Sequence, residues 1–337
     1  MKTALKELIG ISLALAFLVA CQPDSAPVQQ PETVRPAQPE LPPVPLFNGD
    51  SAYAFVARQV AFGPRVPGSD AHRACGDWLV EKLKGYGGSV VEQNAEVTIY
   101  SGQKVPMRNI IASWQPEKKE RILLFAHWDT RPMADQDPER RNEPIDGAND
   151  GGSGVGVLLE IARHLATDST QVGVDIFLTD VEDMGEPHGA MGLGQESLKT
   201  WCLGAQYWAK NPHVPGYKAR YGILLDMVGS KEAVFPKEGY SMRYAAGVVN
   251  KVWKAAAATG HGDRFLSEVR NHVGVDDHVF VNEGTGIPSI DIIAYNPTTG
   301  GFPATWHTHA DNLANIDKES LQAVGATVAQ VVWTERQ

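Results

Sequence analysis

Cysteine is scarce in this chain: 337 residues carry three. Once the one in the N-terminal segment, Cys21, is set apart, only Cys75 and Cys202 remain. That excludes a disulfide framework and leaves either one long-range disulfide or two buried thiols. Positive charge is also short. Lys and Arg number 30 against 40 Asp and Glu, a net charge of −10, which argues against nucleic-acid binding through a basic patch. Long apolar runs are missing too. Leu8 to Ala20 is too short for an ordinary membrane span. No internal repeat and no sustained heptad is present.

What that short run does fit is a signal h-region behind Lys2 and Lys6. It ends Leu18-Val19-Ala20-Cys21, which resembles a bacterial lipobox with Cys21 as the lipidated first residue of the mature protein. Residues 1–21 are therefore read as a lipoprotein-type signal peptide, with a plain signal peptide as the alternative. Gln22 after Cys21 resembles outer-membrane sorting. The expectation is an exported cell-envelope lipoprotein on the periplasmic face of the outer membrane. Residues 22–45 are rich in Pro, Gln and Glu and cannot bury enough surface to fold, so they read as a semi-extended tether. The folded domain is expected over 46–337.

Within it, Asp50-Ser51 reads as a helix cap, and Gly68-Ser69-Asp70 starts a second helix. Strand signals follow at Val90–Tyr100, Arg108–Trp114 and Arg121–Ala126. The last is almost wholly apolar, as in a strand covered on both faces. A glycine-rich stretch leads into a helix over Val157–Leu165, then a strand over 174–181. After a long irregular segment to Lys218 come the strands Ile223–Met227 and Pro288–Ile293, with a helix over Tyr244–Ala258. An amphipathic helix, Lys318–Val332, closes the chain. Buried strands alternating with helices indicate an α/β three-layer sandwich with a central mixed, mostly parallel sheet. Ligands in such folds bind beyond the carboxyl ends of the strands.

Chemistry-bearing residues gather at those ends. Glu182-Asp183 closes an apolar run, and two adjacent buried acids are costly unless a metal or a proton uses them. His127 and Asp129 follow another strand; imidazole and carboxylate suit zinc. Asp150 sits in a glycine-rich turn and could equally be a helix N-cap. Asp226 interrupts an apolar strand. His307, in a polar loop, could be a surface histidine. Each alone has a bland explanation; their coincidence at strand ends points to a metal site. Consecutive side chains point apart, so of Glu182 and Asp183 one can bind metal while the other faces substrate as an acid/base.

In order, His127-x-Asp129, Asp150-Gly-Gly-Ser-Gly, Glu182-Asp183, Asp226, Asp276-Asp277-His278 with Gly286-Ile287-Pro288, and His307 resemble the M28 zinc aminopeptidase family over essentially the whole domain. Trp306 before His307, the doubled Asp276-Asp277, and Ala126-His127-Trp128-Asp129-Thr130-Arg131-Pro132 are similar to its glutaminyl-peptide cyclotransferase branch. Trp201-Cys202-Leu203-Gly204 looks like the bacterial members.

That resemblance implies one zinc per chain on Asp150, Asp183 and His307, with Glu182 as acid/base and Asp226 and Asp277 in its hydrogen-bond network. Trp306 would line the substrate pocket, with Trp201 or Trp128 as a further wall. The implied reaction closes the N-terminal glutamine of a peptide or protein to pyroglutamate with release of ammonia, in a monomeric enzyme. The alternative is a di-zinc aminopeptidase of the same family, with a second metal at His127 and Asp226. His309 is read as structural.

Overall fold

A computed structural model describes residues 41–187, 195–231 and 233–336. The leader, Cys21 and most of the tether lie outside the described residues, as does part of the segment after Glu186. The chain enters the fold where the composition changes. Leu46 is exposed, Phe47 is buried, and α1 (Gly49–Val60) begins two residues later. Its cap is Asn48, whose side chain accepts from the Ser51 N–H. Asp50 and Ser51, read as the cap, stand in the first turn instead. Ser69 caps α2 (Asp70–Gly85) as expected.

The strands β1 (Ser89–Thr98), β2 (Lys104–Trp114), β3 (Arg121–His127), β4 (Gly173–Thr179), β5 (Gly222–Asp226) and β8 (Ser289–Ile293) form one sheet, in the order β1-β2-β4-β3-β5-β8. The first two pairings are antiparallel and the remaining three parallel. A two-stranded sheet of β6 (Phe235–Glu238) and β7 (Phe265–Arg270) stands apart. The remaining helices are α3 (Gly152–Leu165), the short α4 (Gln195–Leu198), α5 (Leu203–Lys210), α6 (Gly239–Ala258), α7 (Asp277–Thr285) and α8 (Lys318–Thr334). The expected mixed sheet between helical layers is present. Among the described residues no helix is long and apolar enough to cross a membrane.

Alternation along the strands separates the two helical layers. Ile122, Leu124, Ile176, Leu178, Ile223 and Leu225 face the core shared with α1, α3 and α8. Their neighbours Leu123, Phe125, Phe177 and Leu224 face α5 and α7 through Trp208 and Val281. Successive side chains on a strand point to opposite faces, so a strand buried on both sides reads as an unbroken apolar run. The segment read as irregular up to Lys218 contains α5. Cys202 precedes that helix with a left-handed φ of 58°, a start signal that sequence patterns do not carry.

Close approach of α3 to the sheet requires glycine at 154. A Cβ there would lie 2.1 Å from the Leu225 carbonyl oxygen and 2.9 Å from the Ala126 Cβ. Gly154→Ala is expected to cost about 3 kcal/mol by overpacking against backbone that cannot yield, seen as a lower urea midpoint at unchanged slope. An unshifted midpoint would refute the contact.

One polar cluster anchors the sheet. Arg121 opens β3 and pairs bidentately with Asp175 of β4, through Nε and Nη2 at 2.7 Å each. Nη2 also donates to the Trp114 carbonyl and Nη1 to that of Gln115. Tyr217 donates its hydroxyl to Asp175 at 2.7 Å. Both charged groups are buried. Cys75 and Cys202 are buried free thiols, so of the two readings the unpaired one holds.

Candidate active site

The site forms where β3, β4 and β5 end. Glu182-Asp183 follows β4 in a turn clamped by Asp129, whose carboxylate accepts both backbone N–H groups, at 3.1 and 3.2 Å. Asp129 thus positions the acid pair. Asp150 is similarly held from behind: Asp311 accepts the N–H groups of Asn149 and Asp150 at 2.7 and 3.0 Å. The Asp150 side chain caps no helix. Its Oδ1 lies 3.0 Å from His127 Nε2.

Two three-residue clusters result, and they share Asp150. Asp150, Asp183 and His307 bring ligand atoms within 4.8 Å of one another, and so do His127, Asp150 and Asp226. His307 Nε2 stands 3.2 Å from Asp183 Oδ1, while its Nδ1 stands 3.0 Å from Asp135. A carboxylate behind the far nitrogen is the arrangement that orients metal-binding imidazoles. Arg131 in turn holds Asp135 through two N–H groups at 2.8 and 3.0 Å. The fit to a cation is direct. Asp150 Oδ2 and Asp183 Oδ2 are buried and receive no hydrogen bond. Unpaired anionic oxygens in a dry site are costly, and a divalent ion on two carboxylates and one imidazole removes that cost. The donor set suits zinc, with three protein ligands and one open position.

Beside this set lies a pocket lined by Glu182, Trp201, Asp226, Asp276, Phe302 and Trp306, with the three ligand residues on its floor. Trp306 stacks on the His307 ring at 3.8 Å, and Phe302 packs on Trp306 at 4.7 Å. Trp201 lies parallel to His307 at 6.0 Å, under the Arg131 guanidinium. Trp201 also needs Gly185, where a Cβ would lie 2.0 Å from the indole. Burial pushes the Glu182 carboxyl well above its ordinary range, with the charges of Asp183, Asp276 and Asp277 adding to the rise and His127 opposing it. Cys202 donates its thiol to Glu182 Oε1 at 3.2 Å.

Two expected positions differ. Trp128 is fully buried away from the pocket, stacked on His72 at 4.2 Å, with its indole N–H on the Arg108 carbonyl. It follows His127 in an extended segment, so with His127 facing the site Trp128 faces α2. Asp277 is enclosed and accepts from the Thr179 hydroxyl. Asp276, the N-cap of α7, is the acid that faces Glu182, within 4.8 Å of it by ligand atoms. His309 is structural as expected, bonded to Asp137 at 3.0 Å. Asp129, singled out with His127 as a pair that suits zinc, clamps the 182–183 turn and belongs to neither ligand cluster; Arg131, Asp135 and Asp311 gave no separate sequence signal beyond lying near the ligand motifs.

Backbone strain concentrates here. Val181, Cys202, Met227 and His307 have φ of 55°, 58°, 49° and 54°, a region that costs non-glycine residues on the order of 1–3 kcal/mol each.

The chain is similar to known proteins. A glutaminyl cyclase from Bacteroides thetaiotaomicron, solved with N-acetylhistamine, is 51% identical, with a TM-score of 0.85 over 87% of this chain and 100% of that one. A Zn-dependent exopeptidase from Parabacteroides distasonis is 52% identical, with a TM-score of 0.83 over 87% and 100%. The glutaminyl-peptide cyclotransferase of Bothrops jararaca is 26% identical over 280 residues, 76% of this chain and 73% of that protein. Residues 109–332 match the model of peptidase family M28, a span that holds every ligand and acid described above from His127 to His307, and the chain belongs to that family.

Proposed function

We propose that this protein is a zinc-dependent glutaminyl-peptide cyclotransferase that converts the N-terminal glutamine of peptides or proteins to pyroglutamate and releases ammonia. The observation that carries this reading is an acid of raised proton affinity, Glu182, in an indole-walled pocket beside an Asp-Asp-His metal set. The glutaminyl cyclases among its relatives support it.

Zinc held by Asp150, Asp183 and His307 would polarise the side-chain amide carbonyl of the substrate. Glu182 accepts a proton from the α-amine as its nitrogen bonds to Cδ. It then returns the proton to the departing amide nitrogen as the Cδ–N bond breaks, so ammonia leaves and the acid is regenerated. Asp276, opposite Glu182, is placed to hold the amide nitrogen. Trp201, Phe302 and Trp306 exclude the water that would otherwise hydrolyse the substrate. Nucleophile and electrophile belong to one residue, so holding the folded-back conformer supplies much of the rate.

One zinc per chain is favoured by the distribution of unpaired atoms. Within the two clusters that share Asp150, the buried carboxylate oxygens without a hydrogen bond are those of Asp150 and Asp183, whereas Asp226 Oδ1 and Asp150 Oδ1 are both within reach of His127 Nε2, at 3.3 and 3.0 Å. Release of ammonia from a Gln-initiated peptide with about one zinc per chain supports the cyclase. Hydrolysis of a leucine anilide with about two would replace it by the di-zinc aminopeptidase. Trp306→Leu is expected to lower kcat/KM about ten- to a hundredfold through lost aromatic burial, measured on the same peptide; an unaltered value would remove Trp306 from the substrate wall. We place the enzyme, lipidated at Cys21 and acting as a monomer, on the periplasmic face of the outer membrane. The lipobox-like Leu18-Val19-Ala20-Cys21 and the Pro-rich segment behind it support that placement.

A further inference from the structure

The segment that opens α5 lies against the turn that carries Glu182. Gly204 permits the approach, since a Cβ there would stand 2.1 Å from the Asp180 carbonyl oxygen. The Leu203 N–H donates to the Val181 carbonyl at 3.0 Å, and the Cys202 N–H to the Glu182 carbonyl at 2.9 Å. Cys202 meets the acid twice, because its thiol also donates to Glu182 Oε1 at 3.2 Å. With Asp129 accepting the Glu182 N–H, the acid is held at its N–H, at its carbonyl and at one side-chain oxygen.

Cys202 does this from a costly conformation. Its φ and ψ are 58° and 35°, a region where glycine would sit without strain. Glycine at 202 would keep the backbone bond and lose the thiol, so the side chain is what the strained position retains. The residue is fully buried, and its sulfur lies within 4.8 Å of carboxylate oxygens of both Glu182 and Asp276. Burial pushes the thiol well above its ordinary value, and the charges of Glu182, Asp277 and Asp276 add to the rise. A thiol that keeps its proton among these acids is a donor and not a nucleophile.

We propose that Cys202 is a positioning residue for Glu182: its thiol fixes Oε1 and leaves Oε2 as the oxygen that takes the proton from the substrate's α-amine. The last torsion of a glutamate side chain is broad and roughly two-fold, so an unheld carboxylate presents either oxygen over a range of angles. Holding one oxygen aims the other. This role rests on Glu182 being the acid/base of the proposed reaction.

The first test is steady-state kinetics of the zinc-loaded chain on a Gln-initiated peptide. Cys202→Ala should lower kcat about tenfold through the lost hydrogen bond, with KM and zinc content unchanged, the pattern of an interaction used only in the transition state. Cys202→Ser keeps a donor on the same carbon and should recover most of the loss. An unchanged kcat in the Ala variant, equal losses in the Ala and Ser variants, or a loss confined to KM overturns the proposal and reduces Cys202 to packing. A second readout leaves residue 202 untouched. In infrared spectra of the zinc-loaded chain, with the Cys75 S–H band as reference, the Cys202 S–H band should move to higher frequency in Glu182→Gln, because a neutral amide oxygen accepts more weakly than a carboxylate. An unmoved band overturns the contact itself, even if the Cys202 variants misfold. Should wild type form no pyroglutamate, it is the proposed function that fails, and the band still decides whether the thiol holds Glu182.

Discussion

Glu182→Gln is expected to slow pyroglutamate formation by about 10²–10⁴-fold, the range for losing a positioned general acid/base, with zinc content unchanged. Gln keeps the shape of the side chain but cannot carry the proton from the α-amine to the leaving nitrogen. The backbone should hold, because Asp129 fixes the turn through the N–H groups of residues 182 and 183 rather than through either side chain. Asp183 lies within reach of His307 Nε2 and Asp150, so Asp183→Asn should instead release the metal. Single-turnover assay and metal analysis on the two variants separate the roles. Loss of zinc from the Glu182 variant, with retention in the other, would mean that the two acids are exchanged.

Arg121→Ala carries the largest expected penalty in stability, about 3–5 kcal/mol, because it strands a buried carboxylate. Asp175 would keep only the Tyr217 hydroxyl, and the carbonyls of Trp114 and Gln115 would each lose the guanidinium donor, Gln115 keeping the Lys118 N–H. A fall in melting temperature on the order of 10 °C follows for a domain of this size. The control is Arg121→Met with Asp175→Leu. Replacing both charges by apolar groups of similar volume leaves no stranded ion and should recover most of the loss. If the single variant melts with wild type, the pair is not the anchor that its geometry implies.

Strands and site differed in how far the sequence revealed them. Arg121 to Ala126 and Val174 to Thr179 are readable because burial on both faces leaves mostly apolar residues between chemistry-bearing ends, the paired Asp175 excepted. His127, Glu182, Asp183 and Asp226 were readable for the same reason, since an acid or imidazole at the end of such a run has no cheap structural use, whereas Asp150 and His307, in loops, stood out only in company with the others. The strands β6 and β7 were not, since β6 has four residues and most of β7 is exposed, leaving no periodic pattern. Trp128 and Trp201 look alike as letters. What separates them is the direction of a side chain at the end of β3 and a left-handed turn at Cys202. The choice between Asp276 and Asp277 depends on which residue caps α7, and a cap and its neighbour point apart. Asp311 reaches the Asn149 N–H across 162 residues, a pairing that only the fold brings together.

The left-handed residues around the site set a limit on how this enzyme can be hardened. Val181 precedes Glu182, Met227 follows Asp226, and His307 is itself a ligand. Glycine at 181 or 227 would relieve local strain, so a search for heat-resistant variants would be drawn to both positions. The same change would loosen the aim of the acid beside it. Heat tolerance and turnover should therefore trade against each other along this ring of residues, while gains made on the far side of the sheet should come without loss of rate.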